Sequence, residues 1–295
     1  MKKAVRKIIM FLMTIGFLFG LSILLYPLFS NVWNTWRDER LFQEYVKQNT
    51  MEDTVDYAAE WEKAHDFNNG LEPVILPDSF VTAETPYTQD EFYTSCLNVG
   101  GDGLMGYIVI PKIDVKVPIF HSTEESVLEK GAGHLHGSSL PVGGESTHAV
   151  IAAHRGLPSA SLFTDLDQLK EGDQFYLYIL DDILAYEVDQ IQVVEPQQTD
   201  ALSVEYGKDQ VTLLTCTPYG INSHRLLVRG SRVPYDEQEA EEQGRQRVKG
   251  MNTNYVFWVL IGLGAAALFM FVIYLIKRFI RRRRRRRNEK IQREE

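Results

Sequence analysis

The chain has 295 residues, 44% of them hydrophobic and 24% charged, which fits one ordinary globular domain with added segments and excludes wholesale disorder. The net charge of -9 is unevenly spread: Lys2, Lys3, Arg6 and Lys7 open the chain, Lys277, Arg278 and the run Arg281 to Arg287 lie near its end, and the middle is strongly acidic. An acidic body of this kind argues against binding a phosphate backbone, so nucleic acid is excluded as a partner. With only Cys96 and Cys216 there is no disulfide framework and no paired-cysteine metal site.

Residues 8–29 form an uncharged, mostly apolar run. About 20 such residues, rising roughly 1.5 Å each, cross a hydrocarbon core. A cleaved signal peptide would have a shorter apolar region ending in a small-x-small site. This run instead leaves through Tyr26-Pro27-Leu28-Phe29 to Trp33 and Trp36, which suit an interfacial aromatic belt. Residues 1–30 are therefore expected to be a retained transmembrane anchor.

Residues 31–67 contain no Gly or Pro, and Leu41, Tyr45, Val46, Val55, Ala58 and Ala59 recur near helical spacing, which predicts one or two helices. Up to residue 100 the texture changes, with Pro73, Pro77, Pro86, Gly70 and Gly100, and a loop with a short helix near Thr88 to Asn98 is expected. Residues 101–235 hold short runs rich in Val, Ile, Tyr and Leu between Gly, Pro and Asp turns. These predict a mainly β domain, a closed barrel or sandwich, with one short helix near Ser159 to Leu169.

Residues 236–254 are polar and read as a linker or helical stalk. Residues 255–276 are a second apolar run of spanning length, and 277–295 form a basic tail. Basic flanks mark the cytoplasmic side, so both termini are expected inside, the acidic middle outside, and the tail on anionic lipid.

Cys216 ends the strand-like run Val211 to Cys216, and Arg225 opens the next strand after a turn. As hairpin neighbours the two would share one end of a sheet. A guanidinium there lowers a thiol's pKa and can bond an oxyanion or substrate carbonyl. The bland alternative is a core thiol, since free Cys is among the most buried residue types. His154 ends another strand-like run, Ala149 to Ala153, and would complete a nucleophile and proton carrier, with His224 as its competitor. His134 and His136 alternate on one strand face and, with His121 and His148, raise a metal reading. No acidic or cysteine ligand completes a recognisable spacing, so neither metal nor cofactor is expected.

The run Thr212-Leu213-Leu214-Thr215-Cys216 resembles the TLxTC signature of sortases, with the arginine following in His224-Arg225-Leu226. The stretches LPVGGESTHAVIAAHRG, AHRGLPSASLFTDLDQLKEGD, GDGLMGY and TCTPYGINSHRLLVRG are similar to the class C, pilus-assembling branch, over about residues 97 to 233. The resemblance implies a sortase-type closed β-barrel with N-terminal helices and a transmembrane helix at each end. It further implies an extracytoplasmic cysteine transpeptidase of a Gram-positive type envelope, with Cys216, His154 and Arg225 catalytic. An LPXTG-like sorting signal would be cut between Thr and Gly through a Cys216 thioester, then passed to an amine. A pilin lysine is the expected acceptor and a cell-wall precursor the alternative.

Thr215, Pro86 and Tyr87 are the candidate substrate or lid residues. Many class C sortases carry a lid with Asp-Pro before an aromatic residue, whereas Thr85-Pro86-Tyr87 lacks the aspartate. A weaker lid without a charge contact to Arg225 is therefore expected. From another class, a silent membrane scaffold whose ectodomain binds peptide would keep its function without Cys216.

Overall fold

The computed structural model describes residues 2–51, 57–71, 78, 80, 90–157, 160–246 and most of 259–279. The β-branched and aromatic runs form eight strands: β1 (Leu104–Ile110), β2 (Val115–His121), β3 (Ala132–His134), β4 (Thr147–Ala152), β5 (Gln174–Ile179), β6 (Asp182–Val194), β7 (Asp209–Thr217) and β8 (His224–Val233). They close into a barrel in the order β1-β2-β3-β4-β7-β8-β6-β5, which removes the exposed edges an open sheet would leave. The β2–β3 and β4–β7 pairs are parallel. Parallel neighbours need a long crossover, and between β4 and β7 it contains the β5–β6 hairpin.

Both faces of β1 and β4 are covered, so β1 reads as a near-continuous apolar run and β4 as one after its buried Thr147 and His148. In β1, Met105, Ile108 and Ile110 join the main core, while Tyr107 and Val109 face a second cluster with Phe42, Tyr176 and Ala185. Gly106 lies where a Cβ would sit 2.3 Å from the Tyr178 carbonyl oxygen, so only glycine lets β5 approach β1 there.

Helix α1 (Lys2–Met51) explains that second cluster. Its early part exposes Phe11, Leu18, Phe19 and Ile23, and a window within Phe11–Lys47 has mean hydropathy 2.0. Its later part lays Phe42 on the barrel, and the Tyr45 hydroxyl accepts from Leu180 N at 2.8 Å. Helices α2 (Ala58–Asn69) and α3 (Glu91–Ser95) bury Phe67 and Tyr93 in the main core. Asn68 bonds both the N–H and the carbonyl of Leu140, at 2.7 and 3.2 Å. Two short helices follow in the chain, α4 (Glu125–Leu128) and α5 (Glu237–Arg245).

The connecting segments differ in part from expectation. Among the described residues from 160 to 169 there is no α-helix; the chain there folds back, with Phe163 N bonded to the His154 carbonyl, and makes a 3-10 turn at Leu166–Gln168. Strand β3 has three residues, one of them Gly133, and is too short to show a period of two. The polar stretch after residue 235 contains α5, as the helical-stalk reading expects, capped by the Asp236 carboxylate on Gln238 N and Glu239 N. The unit Met251–Glu295 shows a shorter apolar helix, Val259–Val272, and the rest of the expected 255–276 span extends outside the described residues. Among the described residues, only the N-terminal helix is long and apolar enough to cross a membrane.

Candidate active site

Alternation along β4, β7 and β8 divides their side chains between two environments. Ala149, Ile151, Ala153, Val211, Leu213, Leu226 and Val228 belong to the main core inside the barrel. Val150, Ala152, Leu214 and Leu227 form a separate cluster on the outer face with Leu135 and Leu202. Cys216 and Arg225 follow the second set by parity, so both lie at the end of the outer face.

The register then brings the three candidates into one row. Cys216 and Arg225 are direct partners in the antiparallel β7–β8 ladder. The parallel β4–β7 ladder pairs Thr147 with Asp209 through Ala152 with Leu214. Two further bonds carry it past the strand end: Ala153 N donates to the Leu214 carbonyl at 3.1 Å, and Thr215 Oγ1 donates to the Ala153 carbonyl at 2.7 Å. The next step of the same register sets His154 beside Cys216. His224 pairs with Thr217, one residue out of phase, so it belongs to the opposite face from Cys216. Thr215, expected to touch substrate, instead points inward and is fully buried, and its hydroxyl serves the strand junction.

The lid expectation is corrected most sharply. Pro86 and Tyr87 lie outside the described residues, but Asp78 supplies the charge contact expected to be missing. Arg225 Nε and Nη2 donate to Asp78 Oδ1 and Oδ2 at 2.8 and 2.6 Å, a bidentate pair with both partners almost out of solvent. Arg225 Nη1 donates to the carbonyls of Asn222 and His224, so every guanidinium nitrogen is engaged. Phe80 places its ring 5.2 Å from the Arg225 Cζ and 5.7 Å from the His154 ring. The sequence signal was Asp78-Ser79-Phe80, with Ser in the place of the usual Pro.

This cap sets the resting electrostatics. Cys216 is 7% exposed, and burial pushes its thiol pKa up; Arg225 pulls it back down, and Asp78 raises it again. Burial works against the charge of Arg225, but the Asp78 carboxylate and the thiol outweigh it, and its pKa is raised. His154 Nε2 lies 3.3 Å from Glu125 Oε1 without hydrogen-bond alignment, and among the described residues this buried nitrogen has no hydrogen-bond partner. The row thus holds a thiol, a cation matched by a carboxylate, and an imidazole nitrogen near Glu125 but without a hydrogen-bond partner among the described residues.

Cys96 is the contrast. It is fully buried, its Sγ donates to the Phe92 carbonyl at 3.2 Å, and burial pushes its pKa up to about 11. Three other histidines serve the core, His121, His134 and His148: His134 Nδ1 meets the Tyr93 hydroxyl at 2.9 Å, and His148 Nε2 meets Thr212 Oγ1 at 2.7 Å.

Comparison with known proteins finds sortases. The sortase domain model matches residues 108–233. The solved structure of sortase C-1 from Actinomyces oris is 48% identical, covering 61% of this chain and 100% of that one, with a TM-score of 0.58. Sortase C of Streptococcus pneumoniae is 46% identical, covering 66% of this chain and 97% of that one, with a TM-score of 0.59. Sortase A of Bacillus anthracis is 32% identical over 130 residues, and the match spans 60% of that protein's length.

Proposed function

We propose that this chain, which belongs to the sortase family, is a membrane-anchored cysteine transpeptidase of the class C type that joins pilin subunits. The observation that carries the reading is the row His154–Cys216–Arg225 across three neighbouring strands, closed over by Asp78 and Phe80. The aspartate and aromatic pair matches the lid of class C members, and the Streptococcus pneumoniae neighbour is a sortase C whose specificity is for pilin substrates.

The chemistry follows from the row. A sorting peptide displaces Phe80 and lies on the apolar outer face made by Ala152, Leu214 and Leu227. Cys216 gives its thiol proton to His154 and attacks the threonine carbonyl; the Thr–Gly bond breaks, and His154 delivers that proton to the departing glycine amine. Arg225, released from Asp78, turns its donors to the substrate carbonyls or the oxyanion. A lysine amine then attacks the thioester, gives up its proton to His154 and leaves Cys216 free. The thioester keeps the energy of the cut peptide bond, so no nucleotide is needed outside the cell.

In this reading residues 8–29 anchor the chain, the 255–276 run crosses back, both termini are cytoplasmic, and the barrel lies outside. The test is mass spectrometry of the full chain in detergent with an LPXTG peptide and a lysine-bearing pilin fragment. A Cys216 thioester, followed by a Thr–Lys isopeptide product, is the expected result. A thioester resolved only by cell-wall-type amines would replace the pilin role with surface-protein anchoring. No adduct, even with Asp78→Ala, would leave a silent peptide-binding scaffold.

A further inference from the structure

Extending the β4–β7 register by two residues sets His154 beside Cys216, but His154 lies past the end of β4 and Cys216 is the last residue but one of β7. The β4 strand ends at Ala152, and β7 ends at Thr217. Beyond the Ala153–Leu214 bond no backbone bond between the two chains is found among the described residues. Their mutual position comes from side chains: Thr215 Oγ1 holds the Ala153 carbonyl, and beyond it Arg155 spans the gap.

Arg155 follows His154 directly, and its side chain is only 4% exposed. Its Nη1 donates to Oγ1 of Thr217, the residue after Cys216, at 2.9 Å. Its Nε donates to the Thr164 carbonyl at 3.1 Å, and its Nη2 pairs with Asp167. The returning loop is fastened in turn: Gly156 N donates to Thr164 Oγ1 at 3.2 Å, and Phe163 N to the His154 carbonyl at 3.2 Å. A second contact runs the same way. Gly156 has φ +83, and a Cβ there would lie 2.7 Å from the Tyr219 ring, in the loop after Cys216.

From this geometry we infer that Arg155 is a positioning residue, a buried fork that locks the His154 loop to the Cys216 strand and sets the distance across which the proton moves. The inference rests on the assignment of Cys216 and His154 as the reacting pair. Arg155 acts by geometry: its charge is met by Asp167, and the charges that move the Cys216 thiol are those of Arg225 and Asp78. A lysine cannot replace it, because one point charge cannot reach Thr217, Thr164 and Asp167 together. Displacing a reacting group by about 1 Å costs up to about a hundredfold in rate.

The experiment uses the full chain in detergent, in an Asp78→Ala background that opens the cap, with steady-state cleavage of an LPXTG peptide. Arg155→Lys is expected to lower kcat at least tenfold with KM unchanged. Thr217→Val, which removes a single bond, lowers kcat about threefold to tenfold. The double variant is no worse than Arg155→Lys alone, because the two residues act through one contact. Arg229→Lys, in an exposed pair with Asp189, serves as the control and leaves kcat unchanged. If Arg155→Lys does not fold, Thr217→Val decides by itself.

Unchanged kcat in both variants, or additive losses that follow the folded fraction, would overturn the role of Arg155. Cleavage that persists in His154→Ala and Cys216→Ala would instead remove the reacting pair itself and leave the fork purely structural.

Discussion

Each of the two cysteines is buried and stands near a histidine, yet the two regions are built on opposite principles. Around Cys96 every polar group is spent. Its thiol donates to Phe92, its carbonyl accepts from His121 Nε2 at 2.8 Å, and burial holds the thiol near 11. That burial comes from α2, α3 and the barrel wall, which are part of the main core and cannot leave without unfolding. Around Cys216 the thiol is also raised, by burial first, but there the charge of Asp78 adds to it and a cation, Arg225, opposes it, with Phe80 over that cation. A raised thiol pKa therefore does not separate a structural cysteine from a nucleophile. What separates them is whether the groups raising it can be taken away, and whether a cation remains once they are.

The largest effect should come from exchanging the two regions' roles. Cys216→Ala is expected to lower sorting-peptide cleavage by about a thousandfold or more, as loss of a covalent nucleophile does. Cys96→Ala should leave cleavage intact and cost about 1–2 kcal/mol of stability from the space it leaves. Thermal unfolding beside a peptide-cleavage assay reads both, and a Cys96→Ala protein that is folded but inactive would break the comparison.

A smaller, opposite effect should follow from removing the cap. Asp78→Ala takes away a carboxylate that raises the Cys216 thiol and frees Arg225 to lower it. The thiolate fraction at neutral pH should rise, and alkylation of Cys216 by iodoacetamide should quicken about tenfold, with its pH midpoint moved down. Asp78→Asn, which keeps the shape without the charge, should fall between. Cys96 should stay unreactive in both, as peptide mapping would show. Equal alkylation of Cys216 in all three proteins would mean that the cap neither shields the thiol nor tunes it.

The difference between the regions also explains what could be read from the sequence. Short runs rich in Val, Ile, Tyr and Leu between turn residues make the barrel legible, and the short spacing from Cys216 to Arg225 anticipates the hairpin that pairs them. His154 was legible because its strand ends where that of Cys216 does, although only the parallel register makes them neighbours. Asp78 was not legible. It lies 147 positions from Arg225, in a Pro-rich stretch without periodicity, and Ser79 disguises the usual pairing of Asp with Pro. Thr215 was misread because a signature shows which residues recur but not which face they occupy; one step along a strand turns a side chain from groove to core. Arg155 carried no signal at all, since a buried guanidinium serving two loops looks like any basic residue in a turn.

The smallest effect sharpens the sealed side of the comparison. Burial pushes His134 down to about 3, and it lowers His121 and His148 as well. His121 faces two carbonyl acceptors, Gly103 and Cys96, which favour its charged form and offset part of the burial. His134 has the Ser139 carbonyl on one nitrogen and the Tyr93 hydroxyl on the other, and His121 and His136 stand near it, so it gives up the most. A histidine kept neutral in the fold binds a proton only when the chain unfolds. Stability is then complete above the ordinary histidine pKa of about 6.5 and is lost as pH falls toward the folded value. Between pH 6.5 and 5, His134 alone should cost about 2 kcal/mol, at about 1.4 kcal/mol per pH unit. Urea denaturation of the full chain in detergent should show this slope, and His134→Gln should flatten it by about one proton while leaving a side-chain donor for Ser139. Asp78→Ala, which opens the other region, should leave the slope as it was. A slope that flattens in Asp78→Ala but not in His134→Gln would place the acid sensitivity at the capped row and refute the claim that the Cys96 side is the sealed one.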